Sequence, residues 1–323
     1  VPAQPLFFGP LLYFRTVPAL EGLSSALLGA IAQHAEEVFF PAGSPLLEPD
    51  RPREAFFVIV EGKVSIRERG GREELLGPGE AVDFLHLLAR SEEALDARAV
   101  WDTVALRVDW DAHMDACERH FPILEMHMGF LAQRCLEERM RIRGALPGLK
   151  ASVGTTPDGE SPVRRQIGTP TPIPLNLVKR LAALHRSEAF PSSSMDALAE
   201  LTRHLEEVRH PPGSTFWAEG DPSGFFLLVA SGELSLEAEK GGWRETLGPG
   251  DVAGQLEALA GLVREGSLRS EVPTVTLRVD VEPFLDIMED HFNMAVEVTA
   301  GLARRLMKLQ SLGPRLPPRA ELL

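Results

Sequence analysis

The chain has 323 residues, 44% of them hydrophobic and 25% charged, an ordinary globular composition with length enough for two domains. Its formal net charge is −14, from 33 Lys and Arg against 47 Asp and Glu, which argues against a large phosphate-neutralising surface and hence against a nucleic-acid partner. Two cysteines, Cys117 and Cys135, form neither a CxxC pair nor a disulfide framework; no apolar run reaches membrane-spanning length and no charged leader is read, so a cytoplasmic protein with no membrane attachment is expected.

Leu11–Ala35 spaces Leu20, Leu23, Leu27, Leu28 and Ile31 as a helical segment does. After Glu37 the period changes. Pro41-Ala42-Gly43-Ser44 is a turn, Glu54–Val60 an apolar strand and Lys63–Arg67 an alternating, half-buried one. Arg69-Gly70-Gly71-Arg72 is a hairpin turn, Glu73–Leu76 a short strand, and Gly77-Pro78-Gly79 a second turn. Thr103–Val108 alternates again, and Asp111–Arg143 carries Met114, Cys117, Phe121, Leu124, Met128, Leu131 and Leu136 along one long amphipathic helix. Gly144–Pro174, with Pro147, Pro157, Pro162, Pro170, Pro172 and Pro174 among Gly, Ser and Thr, reads as a flexible linker. The series then recurs: helical Leu181–Leu205, strands Gly224–Ala230, Glu233–Glu239, Glu245–Leu247 and Thr274–Val279, the Gly248-Pro249-Gly250 turn, and a helix over Pro283–Leu312.

The recurrence is an internal repeat. Ile31–Arg67 aligns without a gap on Leu201–Glu237, Val38 meeting Val208, 170 residues on. Gly43/Gly213, Phe56/Phe226, Gly62/Gly232 and Ser65/Ser235 are identical pairs, and from the G-P-G turn to His120-Phe121/His291-Phe292 the copies align one residue further apart. The expected organisation is a first domain over 1–143, a linker over 144–174, a second domain over 175–312 and a tail over 313–323. The expected fold is mainly β with flanking helices: two jelly rolls, each with a helical prelude and a long C-terminal helix.

The segments FPAGSPLLEPD, AFFVIVEGKVSI and LLGPGEAVDF, and in the second copy HPPGSTFWAEGD, FFLLVASGELSL and TLGPGDVAGQLEALAG, resemble the cyclic nucleotide-binding domain. The resemblance implies a ligand site after the G-P-G turn. There a Gly-Glu step opens a short helix whose free N–H groups meet the cyclic phosphate, and an Arg-Ala-Ala-Thr/Ser run supplies a bidentate cation and a small hydroxyl. In the second copy it places Gly254 and Gln255 at the Gly-Glu step, Arg264 at the phosphate and Ser267 at the hydroxyl, with Glu265 weakening its neighbouring arginine. In the first copy Phe84 takes the carboxylate position, Glu93 the arginine's and Asp96 the hydroxyl's, so two carboxylates are expected to repel an anion there. Trp101, after this altered run, is expected to fill the vacated pocket.

The resulting expectation is a non-enzymatic regulatory or scaffold protein, silent toward ligand in its first domain, that needs no cofactor and acts through protein partners. The alternative is a sensor that binds a cyclic nucleotide in its second domain. No helix-turn-helix segment follows Leu309, and no hydrolase, zincin or nucleoside-triphosphatase motif occurs. The stripe Val298, Leu302, Arg305, Leu309 reads either as packing on its own barrel or as a homodimer seam. His113, Cys117 and His120 share one helical face at i, i+4 and i+7, and are read as fold-related residues, with no metal.

Overall fold

The computed structural model describes residues 9–17, 20, 22–49, 51–68, 73–145, 174–187, 189–190, 193–238 and 242–312. The Arg69–Arg72 turn, nearly all of the expected linker and the tail lie outside the described residues. Two compact units divide between His127 and Met128. Residues 128–143, expected with the first domain, therefore pack with the second unit.

The first unit opens with helices α1 (Pro10–Phe14) and α2 (Ser25–Ala32), followed by strands β1 (Ala35–Phe40), β2 (Pro45–Leu47), β3 (Ala55–Glu61), β4 (Val64–Glu68), β5 (Glu73–Leu76) and β6 (Ala81–Val82). The short helix α3 (Phe84–Ala89) leads to β7 (Leu95–Ala99), β8 (Thr103–Asp109), α4 (Trp110–Arg119) and α5 (Pro122–Ala145). Two antiparallel four-stranded sheets result, β1-β8-β3-β6 and β2-β7-β4-β5, the double-sheet jelly roll that the strand spacing predicts. Between them lies an apolar core that includes Phe57, Ile59, Val64, Ile66, Val82, Leu95, Ala97 and Ala105, with Phe40 edge-on to Phe57 at 5.6 Å. Burying each large side chain contributes roughly 1.5–3 kcal/mol.

The second unit repeats the order: α6 (Leu177–Arg186), α7 (Met195–Arg203), β9 (Glu206–His210), β10 (Thr215–Trp217), β11 (Phe225–Ser231), β12 (Leu234–Ala238), β13 (Trp243–Leu247), β14 (Val252–Ala253), α8 (Gln255–Ala260), β15 (Ser267–Ser270), β16 (Thr274–Asp280), α9 (Val281–Asp290) and α10 (Phe292–Leu312). Its sheets, β14-β11-β16-β9 and β10-β15-β12-β13, have the same topology. Helix starts are set by side-chain caps: the Asp109 carboxylate accepts from Ala112 N–H, Asn176 from Lys179 and Ser194 from Ala197, each worth about 1 kcal/mol.

Two expectations are corrected, on the long terminal helices and on Trp101. Each long terminal helix is broken, at His120 and at His291, where the backbone leaves helical geometry (φ −138° and −118°). Of the stripe, Val298, Leu302 and Leu309 are buried and Arg305 is half-buried. Trp101 is 61% exposed, with Lys63 Nζ 5.5 Å from its ring, and fills no pocket. Among the described residues no helix is long and apolar enough to cross a membrane.

The repeat extends to backbone detail. Both central strand pairs shift register, between Ile59 and Glu61 and between Val229 and Ser231, and each shift precedes a positive-φ glycine, Gly62 or Gly232. A Cβ on Gly62 would lie 2.5 Å from Thr103 Oγ1 and 2.7 Å from Thr103 Cα; on Gly232 the same distances fall to Thr274. Because backbone blocks it, Gly232→Ala is expected to destabilise the second unit by about 3 kcal/mol or more, measured by denaturant unfolding.

Candidate functional site

In the second unit the G-P-G turn feeds β14 and then Gly254, whose φ of 76° turns the chain into α8. A Cβ on Gly254 would stand 2.2 Å from Arg264 Nη1 and 3.0 Å from Trp217 Cη2, so glycine is required both for the turn and for the arginine beside it. Arg264 is 1% exposed. Its guanidinium lies 4.0 Å from the Trp217 ring centre and 4.9 Å from that of Phe225, donates from Nη1 to the Gly254 carbonyl at 3.0 Å, and from Nη2 to the Phe225 carbonyl at 2.5 Å. Burial holds it below the ordinary arginine value, and Glu257 on α8 opposes that shift.

Gln255 is buried at the first position of α8. The Ser267 hydroxyl accepts from Glu219 N–H at 3.0 Å, and Trp217 Nε1 donates to the Gly266 carbonyl at 3.0 Å. Gly254, Gln255 and Arg264 are thus brought together, with Ser267 tied to the loop that precedes β11. In this cradle Arg264 Nη1 and Nη2 each donate to a main-chain carbonyl, while the buried Nε–H has no hydrogen-bond partner.

Glu265 does not act on its neighbour as expected. Arg139 hydrogen-bonds its carboxylate, and Arg143 reaches it at 3.1 Å while also meeting Glu245 at 3.0 Å and stacking on Trp243 at 3.5 Å. Both arginines come from residues 128–145 of α5, which pack within this unit. Gly129 permits the approach, since a Cβ there would sit 3.2 Å from the Leu259 carbonyl of α8. The sequence reading missed this network because its partners are more than 100 residues apart.

In the first unit the equivalent of Gly254 is Asp83, which keeps the left-handed turn (φ 73°) but carries a side chain into the space that Arg264 fills in the other copy. A cation from a different position answers it: Arg53 lies 3.1 Å from Asp83 and also hydrogen-bonds the Ser91 carbonyl. Phe84 turns to an aromatic cluster with Phe56 at 4.9 Å and His127 at 4.9 Å. Glu93 is exposed, near Glu68 and His86, and Asp96 pairs with Arg98 at 3.1 Å on β7. The buried carboxylate of this cradle is therefore Asp83 rather than Glu93 or Asp96. Its signal was the alignment of Arg51-Pro52-Arg53 with Asp221-Pro222-Ser223, which adds a cation in the loop just before β3.

Two predictions follow from these charges. Desolvation pushes the Asp83 carboxyl up to about 6, against the pull of Arg53, and one of its oxygens has no hydrogen-bond partner. The folded value exceeds the unfolded one of about 4, so stability is greatest below about pH 4 and falls, on the order of 2–3 kcal/mol, as pH rises to about 6. Asp83→Asn is expected to remove that descent in thermal melts across this range. In the second unit, Glu265→Ala leaves Arg139 and Arg143 short of their carboxylate and is expected to cost about 3–5 kcal/mol in urea unfolding, far more than a surface Glu→Ala.

The family model of the cyclic nucleotide-binding domain matches residues 37–120 and again 207–291, together just over half of the chain. The chain is 25% identical over 289 residues to the lysophospholipase nte1 of Neurospora crassa, covering 84% of this chain and 18% of that one. It is 27% identical over 129 residues to a CRP-like cAMP-activated global transcriptional regulator of Mycobacterium tuberculosis, covering 39% of this chain and 58% of that one. The chain thus spans less than two thirds of the length of either relative. A solved regulatory subunit of a cAMP-independent protein kinase A from Trypanosoma brucei aligns over 88% of this chain and 89% of its own at 15% identity, with a TM-score of 0.33. With two matched segments set apart by the internal repeat, the chain belongs to the cyclic nucleotide-binding domain family.

Proposed function

We propose that the chain is a non-catalytic regulatory module that works through protein contacts, with its first domain silent toward nucleotide and its second holding its cradle closed with its own side chains. The observation that supports this reading is the state of Arg264. In the family's chemistry this residue meets a phosphate, yet here it is buried against Trp217 and Phe225 and donates to two main-chain carbonyls. An anion reaching Nη1 or Nη2 would have to displace a carbonyl acceptor already in place, and only the Nε–H is without one. In the first domain the Asp83 side chain stands where that arginine would need to be, and Glu93 occupies its place in the sequence. No cofactor enters this reading.

The second reading, a sensor in the second domain, draws on the left-handed Gly254 that opens α8 and on the Ser267 hydroxyl, which accepts from Glu219 N–H and keeps its own proton to donate. Thermal melting with cyclic AMP and with cyclic GMP separates the two. A ligand at a hundred times its dissociation constant stabilises by about 2.7 kcal/mol, a shift of several degrees. The expected outcome is no shift with either nucleotide. A shift of that size, abolished by Arg264→Ala, would establish the sensor and end the scaffold reading.

A further inference from the structure

Outside the cradles, the first unit gathers three metal-ligating groups that sequence spacing had grouped differently. His113 and Cys117 lie one turn apart on α4, while the third member is His127 on α5, not the exposed His120. His113 Nε2 is 3.1 Å from His127 Nε2 and 3.7 Å from Cys117 Sγ, and the three ligand atoms all lie within 4.8 Å of one another. All three residues are buried. Aromatic rings enclose them, with Phe56, Phe84 and Trp110 centred 5.2, 5.8 and 6.0 Å from the His113 ring.

The duplicated domain supplies an internal control. The positions equivalent to His113, Cys117 and His127 are Phe284, Met288 and Val298, all buried and all apolar. The fold therefore does not need polar atoms at these sites. Placing two imidazoles and a thiol there carries a desolvation cost that the hydrogen bonds of His113 Nε2 with His127 and with Cys117 offset only in part, and His113 Nδ1 has no hydrogen-bond partner.

We propose that His113, Cys117 and His127 form a binding site for a soft, thiolate-seeking metal ion, specifically monovalent copper. An imidazole nitrogen about 2.0 Å and a thiolate sulfur about 2.3 Å from one ion, at an angle of about 115°, stand about 3.7 Å apart, which is the separation of His113 Nε2 and Cys117 Sγ. The two imidazole nitrogens need to open by only a few tenths of an ångström to share an ion. Charge selects the metal. Two neutral imidazoles and one thiolate make a neutral complex with a monovalent ion, suited to an aromatic enclosure. A divalent zinc would leave a buried positive charge and require a fourth ligand, and among the described residues the cluster offers three. The ion takes the place of the Cys117 thiol proton, so its entry releases one proton.

The test uses the full chain, reduced and incubated with copper(I) held by a coloured bicinchoninate chelator. One equivalent of copper is expected to pass to the protein. Cys117→Ser is expected to lower the affinity at least tenfold, while Cys135→Ser, at the other cysteine, leaves it unchanged. X-ray absorption on the copper-loaded wild-type chain needs no variant and is expected to show two nitrogen and one sulfur neighbours. The combined change His113→Phe, Cys117→Met and His127→Val, which copies the second domain, is expected to fold and take up no copper. Copper left wholly with the chelator, uptake that survives Cys117→Ser, or a metal shell without sulfur would overturn the proposal. So would uptake of cobalt(II), as a zinc probe, with four-coordinate spectral bands in place of copper.

Discussion

A guanidinium keeps its charge at any accessible pH, so one carried into an interior has to be answered by fixed dipoles, rings or counter-charge. Arg264 is answered by all three: carbonyls of Gly254 and Phe225, the faces of Trp217 and Phe225, and Glu257 in the same interior. Much of the second domain's local design follows from that. Trp217 must be large and flat, Gly254 must lack a side chain, and the loop before β11 must pass close enough for Asp221 to accept from Arg264's own N–H at 2.9 Å.

The neighbouring residue extends the same logic. Glu265 would be an uncompensated buried charge without Arg139 and Arg143, and those residues bring the later turns of α5 into this unit. The buried arginine at residue 264 and the helix-docking carboxylate at residue 265 are thus adjacent in the chain. In the first copy the same turn is served by the opposite choice, a buried carboxylate on the turn with its cation in the loop before β3.

Much of the barrel was legible because its signals are local. Glu54–Val60 and Lys63–Arg67 fall within a residue of β3 and β4, since alternation and a following glycine mark both ends. Strands β1, β2, β6 and β7 were not foreseen; β6 has two residues and β1 is a largely exposed Ala-Glu-Glu-Val-Phe-Phe strand. The breaks at His120 and His291 were invisible because the apolar stripe continues across them. That continuity also led to His120 being counted with His113 and Cys117, when the change of direction delivers His127 instead. Gly254, Gln255, Arg264 and Ser267 could be located from a short run, whereas Arg53, Arg139 and Arg143 are joined to their partners only by the tertiary fold.

The left-handed turn at residue 83 has a consequence for how the two halves could ever become alike again. Restoring an arginine at position 93 would place it against the β-carbon of Asp83, since even a methyl at the matching residue 254 overlaps its partner's guanidinium. Replacing Asp83 by glycine first would strand Arg53, which now has its counter-ion there. The turn residue, the cation that faces it and the residue at position 93 are therefore constrained together.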